Sequence, residues 1–396
     1  MIDYAEALSL TLDTAVDFGT ERVPLAQATG RILRQEVVAD RDQPPFDRVA
    51  MDGLALDYSA YAAGRRRFAV SHMGPAGRAP RPVSSGDHCV EVMTGAPLPP
   101  GTTAVIRYED VERVGAEFIV PDGVTDGQNI HPQATDGRSG DSILRGPVRI
   151  GPTQAAVLAT YGVPEVTVGR WPRVAIASTG DEIVPVEQPP LDHQIRSSNV
   201  YQLAALFRQM GIEPTVDHLG DDPAGGQATL NRLLEEHDLL LLSGGVSKGK
   251  LDHVPDWLAG AGVEKLFHRV AQRPGKPLWV GRNASTMVFA LPGNPASSLV
   301  GAVAYLGPWL RRALGVERPN QLVKLLDDVV FAPPLTLFRS VRLEPTPGGT
   351  GARPVANSGS GDLVSLARTD GFLVLPADRV NFSAGEIFPY LPIGLL

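Results

Sequence analysis

The stretch from 172 to 315 constrains the fold most. Four apolar runs, RVAIAS (173–178), PTVDHLG (214–220), DLLLLSG (238–244) and TMVFALPG (286–293), alternate with segments of helical period. Strands that are apolar on both faces and separated by helices make a parallel sheet covered on both sides. One helix is expected to be capped by Ser197 or Ser198 and stopped by Gly211, burying Val200, Leu203, Ala204 and Phe207. Another is announced by Asn294 as N-cap and Pro295 at the first helical position, and closes at Gly315. Pro308 lacks an N–H and crowds the preceding turn, so it should kink or split that helix.

Each apolar run ends in a turn rich in glycine or acid: STGDE (178–182), LGDD (219–222), SGGVSKGKLD (243–252) and LPGNP (291–295). In an open parallel sheet these turns gather at the carboxyl ends of the strands, where ligands bind. The candidate ligand contacts are Thr179, Gly180, Asp181, Ser243, Gly244, Gly245, Ser247, Pro292, Gly293, Asn294 and Pro295. Glycine lets backbone approach closely, and N–H groups at a helix start favour an anion. Around them stand the carboxylates Asp181, Glu182 and Asp252 and the cations Lys248, Lys250, Arg273 and Lys276. Carboxylates facing cations in a glycine-lined crevice suit a phosphorylated ligand bridged by Mg²⁺. Any one loop could be an ordinary solvated turn; four at one edge weigh against that.

The flanking chain has another character. An opening helix is expected with Asp3 as cap, Glu6 at the reciprocal capping position, and Tyr4, Leu8, Leu12 and Ala15 on one face. ERVPL (21–25) and EVVAD (36–40) read as short strands around a turn at Gly30, and a short helix is expected near Thr153 to Tyr161. Residues 41–141 carry alternating runs such as HCVEVM and AVIRYE broken by Pro- and Gly-rich turns, as in an inserted β-rich domain. Within it, PPFDRVAMDG (44–53) places Asp47 and Asp52 after a stiff Pro-Pro pair, and MTGAPLPPG (93–101) sets Thr94 beside Gly95. Composition alone reads these two as a turn and a rigid loop. From 317 onward, strands such as FRSVRLEP and GFLVLP between Gly/Pro turns point to a small β-barrel or sandwich. The expected organisation is an elongated segment (1–40 and 142–171), the inserted domain (41–141), the α/β domain (172–316) and the C-terminal barrel (317–396). The 42 glycines and 35 prolines agree with many short elements.

Several chemistries find no support. GGVSKGK (244–250) fits the start of a P-loop, but Leu251 stands where Ser or Thr must hold Mg²⁺. No GxGxxG follows a predicted strand. One cysteine, Cys89, and eight scattered histidines without an HxxxH or HExxH pair disfavour a tight zinc or iron site. Ser243 has no GxSxG around it. The formal charge of -8 leaves no chain-wide footprint for nucleic acid. The start MIDYAEALSL lacks a signal-peptide pattern, and no window holds 18 uninterrupted apolar residues, so a cytoplasmic protein is expected.

Together, PPFDRVAMDG, MTGAPLPPGTTAVI, DGQNI (126–130), ASTGDE, IRSSN (195–199), LSGGVSKGKLD, RPGKP (273–277) and LPGNPASS resemble the molybdopterin molybdenumtransferase family, which includes the E domain of gephyrin. The strings follow family order over nearly the whole chain. The resemblance implies a multi-domain α/β plus β fold: an elongated helix-and-strand domain, an inserted β-rich domain, an α/β domain similar to molybdopterin adenylyltransferases, and a C-terminal β-barrel. It implies insertion of molybdate into the dithiolene of adenylylated molybdopterin, with release of AMP and a divalent cation such as Mg²⁺. At matching positions, Asp47, Asp52, Thr94, Asp136, Glu182 and Asp252 are the expected active-site polar residues, with Glu182 and Asp252 as cation ligands. Arg273 and Lys276 fall where the family places cations near the ligand, and Pro292 and Pro295 shape the last loop. The resemblance also implies a homodimer in which the inserted domain of one subunit faces the α/β domain of the other. A molybdopterin adenylyltransferase is a candidate partner; no nucleic acid or membrane is expected.

The chain departs from the family at three places. Ala134-Thr135-Asp136 stands where Gly-Glu-Asp is common, Ser197 replaces a frequent aspartate, and Lys248 and Lys250 sit where neutral and acidic residues are usual. Acid is lost and positive charge gained, which bears on the ion that is held. Two other functions compete: a non-catalytic molybdopterin-binding or scaffold paralogue, and an adenylyltransferase-type enzyme on the same α/β domain. Retention of Asp136, Glu182 and Asp252 argues against the first, and the flanking domains with PPFDRVAMDG against the second. Molybdate and tungstate, both tetrahedral and close in size, are not distinguished by the sequence.

Overall fold

A computed structural model describes residues 1–246 and 253–396. The four expected strands are present and mutually parallel: Val174–Thr179, Thr215–Leu219, Leu239–Ser243 and Met287–Leu291. Thr215–Leu219 lies outside Val174–Thr179, while Leu239–Ser243 and Met287–Leu291 follow on its other side, so the winding reverses beside Val174–Thr179. Two strands that the periodicity did not reveal, Trp279–Arg282 and Glu264–His268, extend the sheet beyond Met287–Leu291 as an antiparallel pair.

Leu239–Ser243 shows how the sheet is held. Its side chains alternate between two cores. Leu239 and Leu241 pack with Val200, Leu203 and Leu299 from helices Asn199–Arg208 and Pro295–Gly301. Leu240 and Leu242 pack with Leu230, Leu233 and Val254 from helices Pro223–Glu236 and Val254–Gly260. All four leucines are fully buried, and each contributes about 2 kcal/mol of transfer free energy.

The helix termini differ from expectation in detail. Ser198 occupies the N-cap position of Asn199–Arg208, yet its side chain makes no capping hydrogen bond; the expected apolar face is buried. Pro308 does split its helix. Pro295–Gly301 passes into a π-turn at Ala302–Leu306 before a second α-helix, Gly307–Ala313. The wider turn makes room for the proline ring and for the preceding carbonyl that finds no N–H at Pro308.

The opening helix Tyr4–Leu12 is capped by Asp3, whose carboxylate accepts the Glu6 N–H at 2.8 Å. It packs on the α/β core through Ala7, and Tyr4 stands edge-on to both Tyr305 and Phe338. Thr20–Pro24 and Ile32–Leu33 then join Val148–Arg149 and Glu165–Gly169 in a four-stranded sheet with helix Pro152–Thr160 nearby. Between these lie a six-stranded sheet centred on His88–Val92 and Arg67–Gly74 and a separate antiparallel pair, Arg48–Val49 with Ile130–His131. At the carboxyl end, Thr336–Thr346, Gly349–Pro354, Gln321–Leu325, Ile387–Pro392 and Gly371–Leu375 form a closed barrel, the last pairing back onto the first. Gln272–Arg273 pairs in parallel with Thr336–Leu337 and so brings the barrel beside the loops of the α/β sheet. Among the described residues no helix is long and apolar enough to cross a membrane.

Candidate active site

A crevice of ≈ 1610 Å³ opens where the strand order reverses, between Val174–Thr179 and Leu239–Ser243. All four loops reach it: Thr179, Gly180 and Glu182 from the first, Asp221 from the second, Ser243, Gly244 and Gly245 from the third, and Pro292, Gly293, Asn294 and Pro295 from the fourth. Arg273 and Lys276 also line it, and the barrel supplies a further wall that includes Phe331 and Arg339. Ser247, Lys248, Lys250 and Asp252 lie outside the described residues. Small-molecule pockets usually span roughly 300–1,000 Å³, so this crevice has room for a ligand larger than a single nucleotide.

The loops approach so closely that glycine is required. A Cβ on Gly244, whose φ is +106°, would lie 2.5 Å from the Thr179 hydroxyl oxygen. Asn199 ties the third loop to the fourth: its amide nitrogen donates to the Ser243 hydroxyl at 2.8 Å and to the Gly293 carbonyl at 2.7 Å. Asn294 stands at the N-cap position expected of it, but its side chain does not cap the helix. Its amide donates to the Ser360 hydroxyl at 2.8 Å, and the Ala296 N–H donates to the Ser360 carbonyl at 3.0 Å. The fourth loop is thereby fastened to the barrel. Asp362 fixes that part of the barrel by accepting the N–H groups of Ser365 and Ser358, which hold its carboxyl down at about 2.

The acids divide their work. Glu182 folds back over Gly180, where a Cβ would meet its carboxylate oxygen at 2.2 Å. Asp181 does not line the crevice; its carboxylate accepts the Asp221 N–H at 3.0 Å and joins the first loop to the second. Asp222 caps the helix Pro223–Glu236 through the Gly225 N–H. Among the described residues, the carboxylates Glu182 and Asp221 thus line the crevice together with Arg196, Arg273, Lys276 and Arg339. Their balance is positive among the described residues, in a chain whose overall charge is -8.

Sequence reasoning missed Arg339, reading FRSVRLEP only as a barrel strand. Its burial pushes the guanidinium pKa below the ordinary range, and its Nε is buried without a hydrogen-bond partner. Among the described residues it has no ion pair. A half-buried cation whose Nε the protein leaves unpartnered suits an anionic ligand. The signal was present in the sequence as one charge inside the apolar run Leu337–Val341.

The inserted domain gathers the remaining expected residues elsewhere. Asp52 accepts from both the backbone N–H and the hydroxyl of Thr94, at 2.6 and 2.7 Å, and these bonds lower its pKa. Asp47 accepts the Gln133 N–H at 2.8 Å. Arg48 and His131, which the sequence reading passed over, stand opposite each other in their strand pair. The Arg48 guanidinium donates to His131 Nδ1 at 2.8 Å, so Nε2 must carry the proton that bonds Asp136 at 3.1 Å. Three loops, 44–52, 93–98 and 129–137, thus share one polar surface. None of Asp47, Asp52, Thr94 or Asp136 lines the crevice of the same chain.

Which metal the crevice suits follows from its donors. Glu182 and Asp221 offer hard carboxylate oxygens, while no cluster of three metal-ligating side chains occurs among the described residues. Such oxygens could hold a hard cation such as Mg²⁺ together with substrate phosphate and water.

Comparison with known proteins agrees with this architecture. Residues 2–162 match the MoeA N-terminal region (domains I and II), 175–312 the probable molybdopterin binding domain, and 323–393 the MoeA C-terminal region (domain IV). The chain is 36% identical to a molybdopterin molybdenumtransferase from Synechocystis sp., covering 98% of this chain and 99% of that one. It is 31% identical to one from Staphylococcus epidermidis, with 98% and 94% covered. The molybdopterin biosynthesis moeA protein from Pyrococcus horikoshii superposes with a TM-score of 0.83 at 29% identity, over 99% of this chain and 100% of that chain.

Proposed function

Because the chain belongs to the molybdopterin molybdenumtransferase family, we propose that it inserts molybdenum from molybdate into adenylylated molybdopterin and releases AMP. The observation that carries this reading is the cation-rich crevice at the switch point, roomy enough for a joined nucleotide and pterin, with Glu182 inside it.

The residues divide the task by charge. Arg273, Lys276 and Arg339, with the N–H groups of the glycine loops, hold the oxyanions of the pyrophosphate link and of molybdate. Glu182 and Asp221, joined on sequence grounds by Asp252, hold Mg²⁺. When bound, that ion withdraws charge from the phosphoanhydride that must break. The dithiolene sulfurs arrive with the substrate, in keeping with the single, buried Cys89.

The second half of the site comes from a second copy. Asp52, Thr94 and the Arg48–His131–Asp136 chain form an organised polar surface outside the crevice of their own chain, which favours a homodimer with sites shared between subunits. The protein works in the cytoplasm, and a molybdopterin adenylyltransferase that hands over the adenylylated substrate is its candidate partner.

The test is incubation of the protein with adenylylated molybdopterin, molybdate and Mg²⁺, following AMP release and reconstitution of an apo-molybdoenzyme. Molybdate-dependent AMP release is expected. Tight pterin binding with no AMP release would favour the scaffold reading instead.

A further inference from the structure

Arg273 ends the short strand that pairs with Thr336–Leu337, and the loop that follows it carries Lys276. Backbone bonds hold its ends, Lys276 carbonyl to Val270 N–H at 3.0 Å and Gly275 carbonyl to Leu278 N–H at 3.2 Å. Its middle is held from beneath by one side chain. The Gln272 amide nitrogen donates to the Pro274 carbonyl at 3.1 Å and to the Gly275 carbonyl at 3.3 Å. The Gln272 amide oxygen accepts the hydroxyl of Tyr305. Gln272 is 1% exposed and Tyr305 is 0% exposed.

Every polar atom of this pair is therefore committed. Burial raises the Tyr305 hydroxyl pKa, so it stays a donor across the working pH range. With its oxygen taken by tyrosine, the Gln272 amide can only present its N–H₂ to the loop. Gly275 lies so close that a Cβ there would come within 2.8 Å of the Gln272 nitrogen. Tyr305 owes its place to the π-turn at Ala302–Leu306, and Tyr4 packs edge-on against its ring at 5.6 Å.

We infer that Gln272 and Tyr305 are positioning residues: the buried Tyr305–Gln272 pair sets the loop that aims Arg273 and Lys276 into the crevice, and so sets affinity for the anionic substrate. The inference rests on the proposed function only in naming the anions. Tyr305 does not line the crevice, and Gln272, which does, spends its amide on the tyrosine hydroxyl and the loop carbonyls.

The experiment is a double-mutant cycle of Tyr305→Phe and Gln272→Met in the full chain. It reads the KM for molybdate against kcat for AMP release, and binding of inorganic pyrophosphate by calorimetry. Tyr305→Phe removes one oxygen from a site that keeps its ring packing, so the fold persists. It is expected to raise KM and the pyrophosphate Kd by about tenfold, since small misplacements of binding groups cost one to two orders of magnitude. The kcat at saturating molybdate should fall less. In the Gln272→Met background, Tyr305→Phe should add nothing further, because the tyrosine acts only through the amide. Unchanged KM and pyrophosphate binding in Tyr305→Phe would overturn the inference, as would fully additive effects in the double variant. If Gln272→Met fails to fold, the Tyr305→Phe measurements decide alone. A wild-type chain that binds pyrophosphate tightly but releases no AMP sinks the proposed function and leaves this inference standing or falling on the pyrophosphate data.

Discussion

Asp52 receives two hydrogen bonds from one residue, the backbone N–H of Thr94 at 2.6 Å and its hydroxyl at 2.7 Å. The two residues lie 42 positions apart, so this contact registers the AMDG turn against the MTG loop. Both bonds favour the charged carboxylate and lower its pKa. A depressed carboxylate contributes stability that is present above the ordinary range near pH 4 and lost as pH falls through the folded value. Asp52→Asn keeps the shape and removes the charge. It is expected to loosen residues 93–98 in hydrogen exchange at neutral pH and to cut AMP release by tenfold or more, roughly the cost of a weakened charge-assisted pair. Unaltered exchange at Thr94 would count against this role.

The proposed sharing of the site between two subunits makes a sharper prediction. Asp52→Asn disables the inserted domain and Glu182→Gln disables the crevice, and each variant alone should be nearly inactive. Mixed dimers place one intact inserted domain against one intact crevice. Refolding the two together should restore about a quarter of wild-type activity, because half the dimers are mixed and each has one good site of two. No recovery, with mixed dimers verified by mass, would mean that each chain builds its own site.

Metal dependence separates the carboxylate roles. Chelation should abolish AMP release, Mg²⁺ should restore it, and Glu182→Gln should shift the Mg²⁺ requirement upward while lowering the rate by about a thousandfold. Full activity after thorough Mg²⁺ removal would defeat the assignment of Glu182.

The sequence showed some of these arrangements and hid others for identifiable reasons. Three of the four parallel strands were legible because they are buried on both faces, as the alternating leucines of 239–242 show, whereas the edge strand Thr215–Leu219 buries only Leu219 and was legible from its place between two helical segments. The antiparallel pair 264–268 and 279–282 was not, because EKLFH is short and half polar and its partner lies beyond the Gln272–Lys276 loop. Asn294 carried the composition of a helix cap, but a partner from another domain, Ser360, claimed its side chain. The Arg48–His131 contact spans 83 positions, and no local pattern announces it. Ala134 is the reverse case: it stands at a position usually glycine in the family, and its φ of +62° gives the reason.

That conformation yields a stability prediction. Left-handed backbone costs a residue with a Cβ about 1 kcal/mol, which glycine avoids. Ala134→Gly should therefore stabilise the loop beside Asp136 and raise Tm by roughly a degree or more, with AMP release unchanged or improved. A lower Tm would show that the lost chain entropy outweighs the relief of strain.

Arg339 should show stability and function pulling in opposite directions. It is a cation in the crevice wall with a buried, unpartnered Nε, and burial depresses its pKa. A merely structural arginine would be paired, and its removal would lower stability. An arginine kept for an anion is a liability until the anion arrives, because desolvated charge is costly when the protein itself leaves it unmatched. Arg339→Met retains most of the apolar stem and removes the charge. The variant is expected to melt at the same temperature or higher than wild type without ligand, and to lose the further rise in Tm that molybdate or pyrophosphate gives wild type. Its KM for molybdate should rise by tenfold or more, the loss expected when a charge-assisted contact to an oxyanion disappears. Arg339→Lys should recover part of the binding, since it restores the charge without the planar fork. A variant that melts several degrees earlier yet binds the oxyanions normally would make Arg339 a packing residue of the barrel and remove it from the site.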